Sequence, residues 1–194
     1  MSPHSTLKAI IVPGNGCDDI RDACFYESLA KDLQSTFPGG VTLRDFPDPY
    51  VAREGIWIPF ILNELGCNED TVIIGHSSGA SAAMRLIEKN KVFGVVLISA
   101  ALTDQGIENE RLSGYYSRPW EWTAMKQNTQ FILQFASEDD QLVSIVEQRE
   151  VARELNGERS EYVEYLDQGH FITDEVPQVA QQIKQTIQKV ISGL

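Results

Sequence analysis

The sequence contains little cysteine and few basic residues. Its three cysteines, Cys17, Cys24 and Cys67, share no metal-ligand spacing, and an odd number does not suit a disulfide framework. This usage is typical of a reducing compartment, so we expect the cytoplasm, with the nucleus as an alternative. Lysine and arginine number 16 against 28 aspartates and glutamates, for a formal net charge of −12. So acidic a chain is predicted to bind neither nucleic acid nor an anionic membrane surface.

Long apolar runs are also lacking. No stretch approaches the roughly 20 apolar residues of a membrane-spanning helix, and residues 1–6 lack the pattern of a secretory signal peptide. The composition is instead that of an ordinary globular protein, with 42% hydrophobic and 23% charged residues. We therefore expect the 194 residues, in which we find no repeat or linker, to form one domain over 1–194.

Short β-branched runs alternate with segments of helical periodicity. The predicted strands are Lys8–Val12, Val41–Phe46, Thr71–Ile74, Phe93–Ser99, Gln130–Ala136 and Glu161–Leu166. The predicted helices are Cys24–Phe37, Arg53–Leu65 with a kink or restart at Pro59, Ala80–Lys91, Pro119–Gln127, a helix ending near Leu155, and Val176–Ile191. No element is predicted for most of the polar segment 100–119. The alternation predicts a three-layer α/β/α sandwich with a mostly parallel six-stranded sheet, whose ligands bind at the carboxyl ends of the strands.

The stretch after the third predicted strand carries the clearest chemical signal. Gly75-His76-Ser77-Ser78-Gly79 is a G-x-S-x-G pentad between a buried strand and a helix, which is the setting of a nucleophile elbow. So sharp a turn requires small residues two positions before and after its centre, and Gly75 and Gly79 meet that requirement. Ser77 is therefore predicted to be an exposed nucleophile. The alternative is an ordinary βα turn, because the pentad alone also arises by chance.

A serine hydroxyl needs a base, and histidine is suited to this role near neutral pH. The chain has three histidines. His4 lies in the N-terminal tail, and His76 is expected to point away from its neighbour Ser77. His170, in the loop after the last predicted strand, is therefore the predicted base, with an inert loop histidine as the alternative.

The third member of a triad is a carboxylate that orients the histidine. The loop after the fifth predicted strand offers Glu138, Asp139 and Asp140. We expect Asp140, since Asp140-x-x-Val143 is similar to the D-x-x-V pattern found after this strand in α/β-hydrolases; Asp139 is the alternative. The chain order of serine, aspartate and histidine is also the order of α/β-hydrolases.

Two backbone N–H groups are expected to stabilise the oxyanion. One is the amide of Ser78, at the start of the elbow helix. The other is expected from the loop Pro13-Gly14-Asn15-Gly16, from Asn15 in preference to Gly16. Nucleotide binding by this loop is disfavoured because the chain has neither a G-x-G-x-x-G motif nor a lysine-bearing P-loop.

A wider set of motifs resembles the small serine hydrolases of the α/β-hydrolase superfamily. These motifs are Pro13–Gly16, Pro47–Pro49, Ala52–Glu54, Ile56–Trp57, Gly75–Ala80, Glu108–Arg111, Ser113–Tyr115, Arg118–Trp120 and Gly169–Phe171. The resemblance implies a compact hydrolase fold without a large cap, with Ser77, Asp140 and His170 as the triad. It further implies cleavage of small ester or amide substrates, aminopeptidase-like cleavage included, without a metal or other cofactor.

The segment from Tyr115 to Trp122 is rich in aromatic residues and follows a carboxyl strand end. About half of these side chains are expected to line a substrate pocket and the others to lie in the core. We name Tyr115, Arg118 and Trp120 as candidate substrate contacts, Arg118 for a charged end of the substrate.

Leu65-Gly66-Cys67-Asn68-Glu69 matches the L-x-C-x-E motif of proteins that bind retinoblastoma-family pocket proteins. It supports an alternative function, in which a weakly active hydrolase fold serves as a binding module. The competing interpretation is that Leu65 and Cys67 are buried core residues. Their solvent exposure distinguishes the two.

Overall fold

The computed structural model describes residues 5–193, so the predicted tail residue His4 lies outside the described residues. The strands are β1 (Lys8–Val12), β2 (Val41–Thr42), β3 (Thr71–His76), β4 (Gly94–Ile98), β5 (Ile132–Ser137) and β6 (Ser160–Tyr165). The helices are α1 (Tyr26–Leu33), α2 (Glu54–Pro59), α3 (Ser78–Ile87), α4 (Glu108–Ser113), α5 (Trp122–Gln127), α6 (Ile145–Leu155) and α7 (Pro177–Ser192). None of the helices between residues 5 and 193 is both long and apolar enough to cross a membrane.

The six strands form one sheet in the order β2-β1-β3-β4-β5-β6, and every neighbouring pair is parallel. The predicted α/β architecture is therefore confirmed, with a sheet that is wholly parallel. In β3, Val72 and Ile74 pack into one core layer with α1 and α7, and Ile73 packs into the other layer with α2, α3, α5 and α6. This period of two places helices on both faces, so the chemistry is left to the carboxyl edge of the sheet.

The differences from the sequence predictions include a shorter β2 and an additional helix, α4, whereas the predicted interruption at Pro59 is present. β2 ends at Thr42 instead of Phe46, because this edge strand pairs with β1 over only two residues before it leaves the sheet. Pro59 ends α2, and a π-helical turn, Phe60–Glu64, continues it. Helix α4 lies in the segment without a predicted element. Its buried residues, Glu110 and Ser113, are both polar, so the sequence shows no apolar periodicity there.

A buried arginine of α3 holds the segment that follows α4. The side chain of Arg85 in α3 is fully buried and donates hydrogen bonds to the carbonyl oxygens of Tyr115, Arg118 and Pro119. Glu88 pairs with the same guanidinium at 2.5 Å. These contacts hold residues 115–119 against the last turns of α3.

Candidate active site

Ser77 occupies a sharp turn between β3 and α3. Its backbone angles, φ +56° and ψ −121°, lie in a region that residues other than glycine rarely adopt. The turn is tight on both sides: a Cβ atom on Gly75 would lie 2.4 Å from the carbonyl oxygen of Gly79, and one on Gly79 would lie 2.3 Å from that of Val12. Only glycine fits at these two positions, and the strain presents the Ser77 hydroxyl to the edge of the sheet.

The three predicted triad residues are in hydrogen-bond contact. The Oγ atom of Ser77 lies 2.9 Å from Nε2 of His170, and Nδ1 of His170 lies 2.9 Å from both carboxylate oxygens of Asp140. Because a carboxylate only accepts hydrogen bonds, Nδ1 carries the proton and donates a hydrogen bond to Asp140. Nε2 is then left as an acceptor facing the hydroxyl of Ser77, which is the protonation state that a general base requires.

Asp140 accepts hydrogen bonds from four further donors. The amides of Leu142 and Val143 each donate to Oδ1 at 2.9 Å, while Ser99 Oγ at 2.8 Å and Gln148 Nε2 at 3.1 Å donate to Oδ2. Sequence reasoning missed Ser99 and Gln148. Ser99 is the last residue of a predicted strand, at the carboxyl edge, which is a usable signal, but nothing in the sequence marks Gln148.

These donors determine the ionisation of Asp140. Burial alone raises the pKa of this carboxyl group, but the hydrogen bond and charge of His170, together with the amides of Val143 and Leu142, outweigh it and hold the pKa below its usual value. Asp140 is therefore a carboxylate at neutral pH, as the orienting member of a triad must be.

Asp139, the alternative to Asp140, is placed differently. It accepts hydrogen bonds from the hydroxyl of Ser137 and from the amide of Gly169, both at 2.7 Å. The bond from Ser137, followed by that from Gly169, lowers the pKa of Asp139. Asp139 therefore anchors the loop that carries His170 but makes no contact with the imidazole.

His76 forms part of a hydrogen-bonded chain beneath the site. The amide of Gly14 donates to the hydroxyl of Tyr26 at 2.8 Å, so Tyr26 donates its own proton to Nδ1 of His76 at 2.7 Å. The other ring nitrogen of His76 donates to the carbonyl oxygen of His170 at 2.9 Å. The imidazole is thus neutral; burial, followed by the charge of His170, lowers its pKa to about 3. This chain joins the loop at Gly14 to the loop that carries His170.

One predicted oxyanion donor, the amide of Asn15, contacts the side chain of Ser78, whose amide is the other. The amide of Asn15 is 3.3 Å from the hydroxyl oxygen of Ser78, a long contact that leaves it available to a substrate. The amide of Ser78 is at the first residue of α3, where a helix has no internal acceptor for it. Gly16 is less suited, because its amide donates to the carbonyl oxygen of Pro49 at 2.7 Å.

Glu110 is a functional candidate that sequence reasoning missed. Its Oε1 atom accepts from the hydroxyl of Ser78 and, at 2.8 Å, from the side-chain amide of Asn15. Its Oε2 atom accepts from the hydroxyl of Tyr116 at 3.2 Å. Burial raises the pKa of Glu110, although the bonds from Ser78 and Tyr116 oppose it. The motif Glu108–Arg111 contains this residue, and that was the only signal.

Two cavities open beside Ser77. The first has a volume of about 60 Å³ and is lined by residues that include Asn15, Glu110 and Tyr116. The second, of about 150 Å³, lies on the side of Gly14, His76 and His170. Both include Ser77 and Asn15 in their walls, so together they offer space for the two parts of a substrate on either side of a scissile bond.

The three predicted substrate contacts do not line either cavity. Tyr115 is fully buried in the core layer beneath α3. Arg118 forms a bidentate ion pair with Glu54, at 2.6 and 2.7 Å. Trp120 stacks on the guanidinium of Arg85, whose Cζ atom lies 3.6 Å from the centre of the Trp120 ring. The aromatic residue of this segment that reaches the cavity is Tyr116.

The L-x-C-x-E residues differ in exposure. Leu65 is 8% exposed and packs in the core layer next to α2. Cys67 is half-buried and Glu69 is exposed. Burial raises the pKa of the Cys67 thiol to about 11, so it is not a reactive thiolate at neutral pH. Pocket-protein binding stays a prediction, and it would require Leu65 to leave the core.

Comparison with known proteins identifies the family. The family model "Serine hydrolase" matches residues 9–188. Serine hydrolase RBBP9 of Rattus norvegicus is 45% identical over 181 residues, which are 93% of this chain and 95% of the rat protein. The crystal structure of the ydeN gene product from B. subtilis matches with a TM-score of 0.81 at 20% identity, over 95% of this chain and all of that protein.

A thermophilic esterase from Thermogutta terrifontis shares the fold as well, with a TM-score of 0.69 and 18% identity over 95% of this chain and 90% of the esterase. The motif-based prediction of a close relative of retinoblastoma-binding protein 9 is confirmed by the identity to the rat protein. With a family model that matches almost the whole chain, this protein belongs to the serine hydrolase family.

Proposed function

We propose that this serine hydrolase cleaves small ester or amide substrates of the aminoacyl type through a triad of Ser77, His170 and Asp140. The observation that carries the proposal is the pair of 2.9 Å contacts that joins the Ser77 hydroxyl to His170 and His170 to Asp140. A single contact of this kind is common in proteins. The two together, on a strained serine at the carboxyl edge of a parallel sheet, are typical of nucleophilic catalysis.

In the proposed mechanism, Ser77 Oγ attacks the carbonyl carbon of the substrate while Nε2 of His170 takes its proton. The amides of Ser78 and Asn15 donate hydrogen bonds to the oxyanion, and Asp140 stabilises the imidazolium. His170 then protonates the leaving alcohol or amine, and an acyl-enzyme remains. A water molecule, deprotonated by His170, attacks the acyl-enzyme and releases the acid, which restores the Ser77 hydroxyl.

The experiment is labelling with an active-site-directed fluorophosphonate. Wild-type protein is expected to react, and Ser77→Ala is expected not to react and to lose ester hydrolysis by about 10⁴-fold or more. Ser192→Ala serves as the control and is expected to label as wild type does, because Ser192 is an exposed serine at the end of α7. Equal labelling of wild type and Ser77→Ala would exclude Ser77 as the nucleophile.

Docking on a retinoblastoma-family pocket protein, in the cytoplasm or the nucleus, is the second candidate function. The exposure of Glu69 supports it, while the burial of Leu65 opposes it. A titration with a purified pocket domain tests it: Glu69→Lys is expected to abolish docking, and Glu64→Lys, at another exposed position, is expected to leave it unchanged. If wild type does not bind, this candidate is excluded and the catalytic proposal is unaffected.

A further inference from the structure

The position of Glu110 gives this residue access to a bound substrate. Its side chain lines the 60 Å³ cavity that also includes Ser77 and Asn15. It is bonded to the side chains of Asn15 and Ser78, whose amides are the proposed oxyanion donors. An acyl group attached to Ser77 with its oxygen between those amides would therefore have its substituents near the carboxylate.

The hydrogen bonds of Glu110 leave part of its capacity unused. A carboxylate has about four acceptor positions on its two oxygens. Oε1 receives two donors, from Ser78 and Asn15, whereas Oε2 receives only the 3.2 Å bond from Tyr116. The hydroxyl of Tyr116 is itself 2.8 Å from Ser81 Oγ, which is therefore the donor in that contact. One acceptor position on Oε2 remains for a ligand.

In its ionised form, Glu110 also lacks a partner of opposite charge among the described residues. Its three hydrogen-bond donors are all neutral, and none of the ion pairs in the described part of the chain includes it. The charged or titratable groups that act on it most are His170 and Asp104. His170 is engaged by Asp140, and Asp104 is a like charge. A buried carboxylate without a cation is costly, and a ligand that brings a cation would offset that cost.

We propose that Glu110 binds the positively charged amino group of the substrate's acyl part and thereby selects aminoacyl esters and amides over uncharged ones. This inference rests on the proposed function, because it assigns a specificity residue to the same site. The alternative role, in which Glu110 only positions Asn15 and Ser78 for the oxyanion, predicts an equal effect on every substrate. The two roles can therefore be separated by the choice of substrate.

The test compares the benzyl esters of L-alanine, N-acetyl-L-alanine and propanoic acid at pH 7. Only the first carries an ammonium group. Wild type is expected to prefer the L-alanine ester over both others by at least about tenfold in kcat/KM. Glu110→Gln is expected to lower kcat/KM for the L-alanine ester by about 30-fold or more, in keeping with the loss of a buried charge pair. Its loss on the propanoate ester is expected to be smaller by at least about tenfold, so the preference for the L-alanine ester falls.

Glu108→Gln is the matched control, because Glu108 is on the same helix but exposed and paired with Arg111. It is expected to behave as wild type. Equal losses on all three esters in Glu110→Gln would overturn the proposal in favour of a positioning role, and no loss would overturn it outright. If Glu110→Gln does not fold, the wild-type preference alone decides: equal rates on the three esters refute the proposal. Absence of both fluorophosphonate labelling and ester hydrolysis would instead refute the proposed function.

Discussion

Asp140 and Glu110 are both buried carboxylates of the candidate site, but the groups that donate hydrogen bonds to them differ. Asp140 accepts hydrogen bonds from two backbone amides and from the imidazole of His170, which becomes a cation in the proposed mechanism. Glu110 accepts only from two hydroxyls and a side-chain amide. Burial raises the pKa of both, yet the net shift is downward for Asp140 and upward for Glu110. The difference indicates that one carboxylate has its cation within the protein and that the other is suited to a cation from outside.

The largest expected effect on activity comes from removing the negative charge of Asp140. Asp140→Asn is expected to lower kcat by about 10⁴-fold, because the neutral amide no longer selects the tautomer with the proton on Nδ1 of His170. The measurement is steady-state hydrolysis of the propanoate ester, which lacks the ammonium group that Glu110 is proposed to bind. Asp139→Asn is the control and is expected to lose less than about tenfold, since Asp139 only anchors the loop at Gly169. Losses of similar size would contradict the assignment of the orienting role to Asp140 alone, and a larger loss in Asp139→Asn would exchange the roles of the two aspartates.

A smaller effect is expected from His76, which contacts the His170 loop directly and the Gly14 loop through Tyr26. His76→Phe leaves the hydroxyl of Tyr26 and the carbonyl oxygen of His170 without their partner, which is expected to cost about 1–3 kcal/mol of unfolding free energy at pH 7. The preference for the L-alanine ester is expected to survive, since His76 does not contact Glu110.

The same variant is expected to change how stability depends on pH. The pKa of His76 is lowered from its ordinary value of 6.5 to about 3 in the folded protein. Below pH 6.5, the unfolded chain therefore binds more protons at this residue than the folded protein does. Wild type therefore loses up to about 1.4 kcal/mol per pH unit between pH 6.5 and 4 from this group, a loss that His76→Phe avoids. Urea unfolding at pH 7.0, 6.0 and 5.0 measures both slopes. Parallel slopes would show that His76 is not buried in its neutral form.

The smallest effect concerns a single donor to Asp140. Ser99→Ala removes the 2.8 Å hydrogen bond to Oδ2 and leaves the two amides and Gln148 in place. We expect kcat to fall by no more than about tenfold, the size of one hydrogen bond to a charged group that retains other partners. The kcat values for the L-alanine and propanoate esters are expected to fall by the same factor. A loss confined to the L-alanine ester would mean that the two carboxylates are not independent.

The sequence predicted well those elements whose signal is local. The buried strands β3 and β4 appear as apolar runs that are mainly β-branched, and the glycines at positions 75 and 79 mark the turn at Ser77 because no larger residue fits there. Helix α4 and its Glu110 were missed, since a short helix that buries only polar residues has no apolar period. Tyr115 was named in place of its neighbour Tyr116 because an irregular segment has no periodicity to assign side chains to one face.

The amino-acid order by itself determined the parallel sheet, the strained serine and the chain order of three catalytic candidates, because strand hydrophobicity and turn sterics act between neighbours along the chain. Only the tertiary structure decided which of the two adjacent aspartates reaches the imidazole, which tyrosine enters the cavity, and that Glu110 lies beside Ser78. Those outcomes depend on contacts between residues 30 or more positions apart. Such contacts are set by the packing of whole elements and leave no local pattern in the sequence.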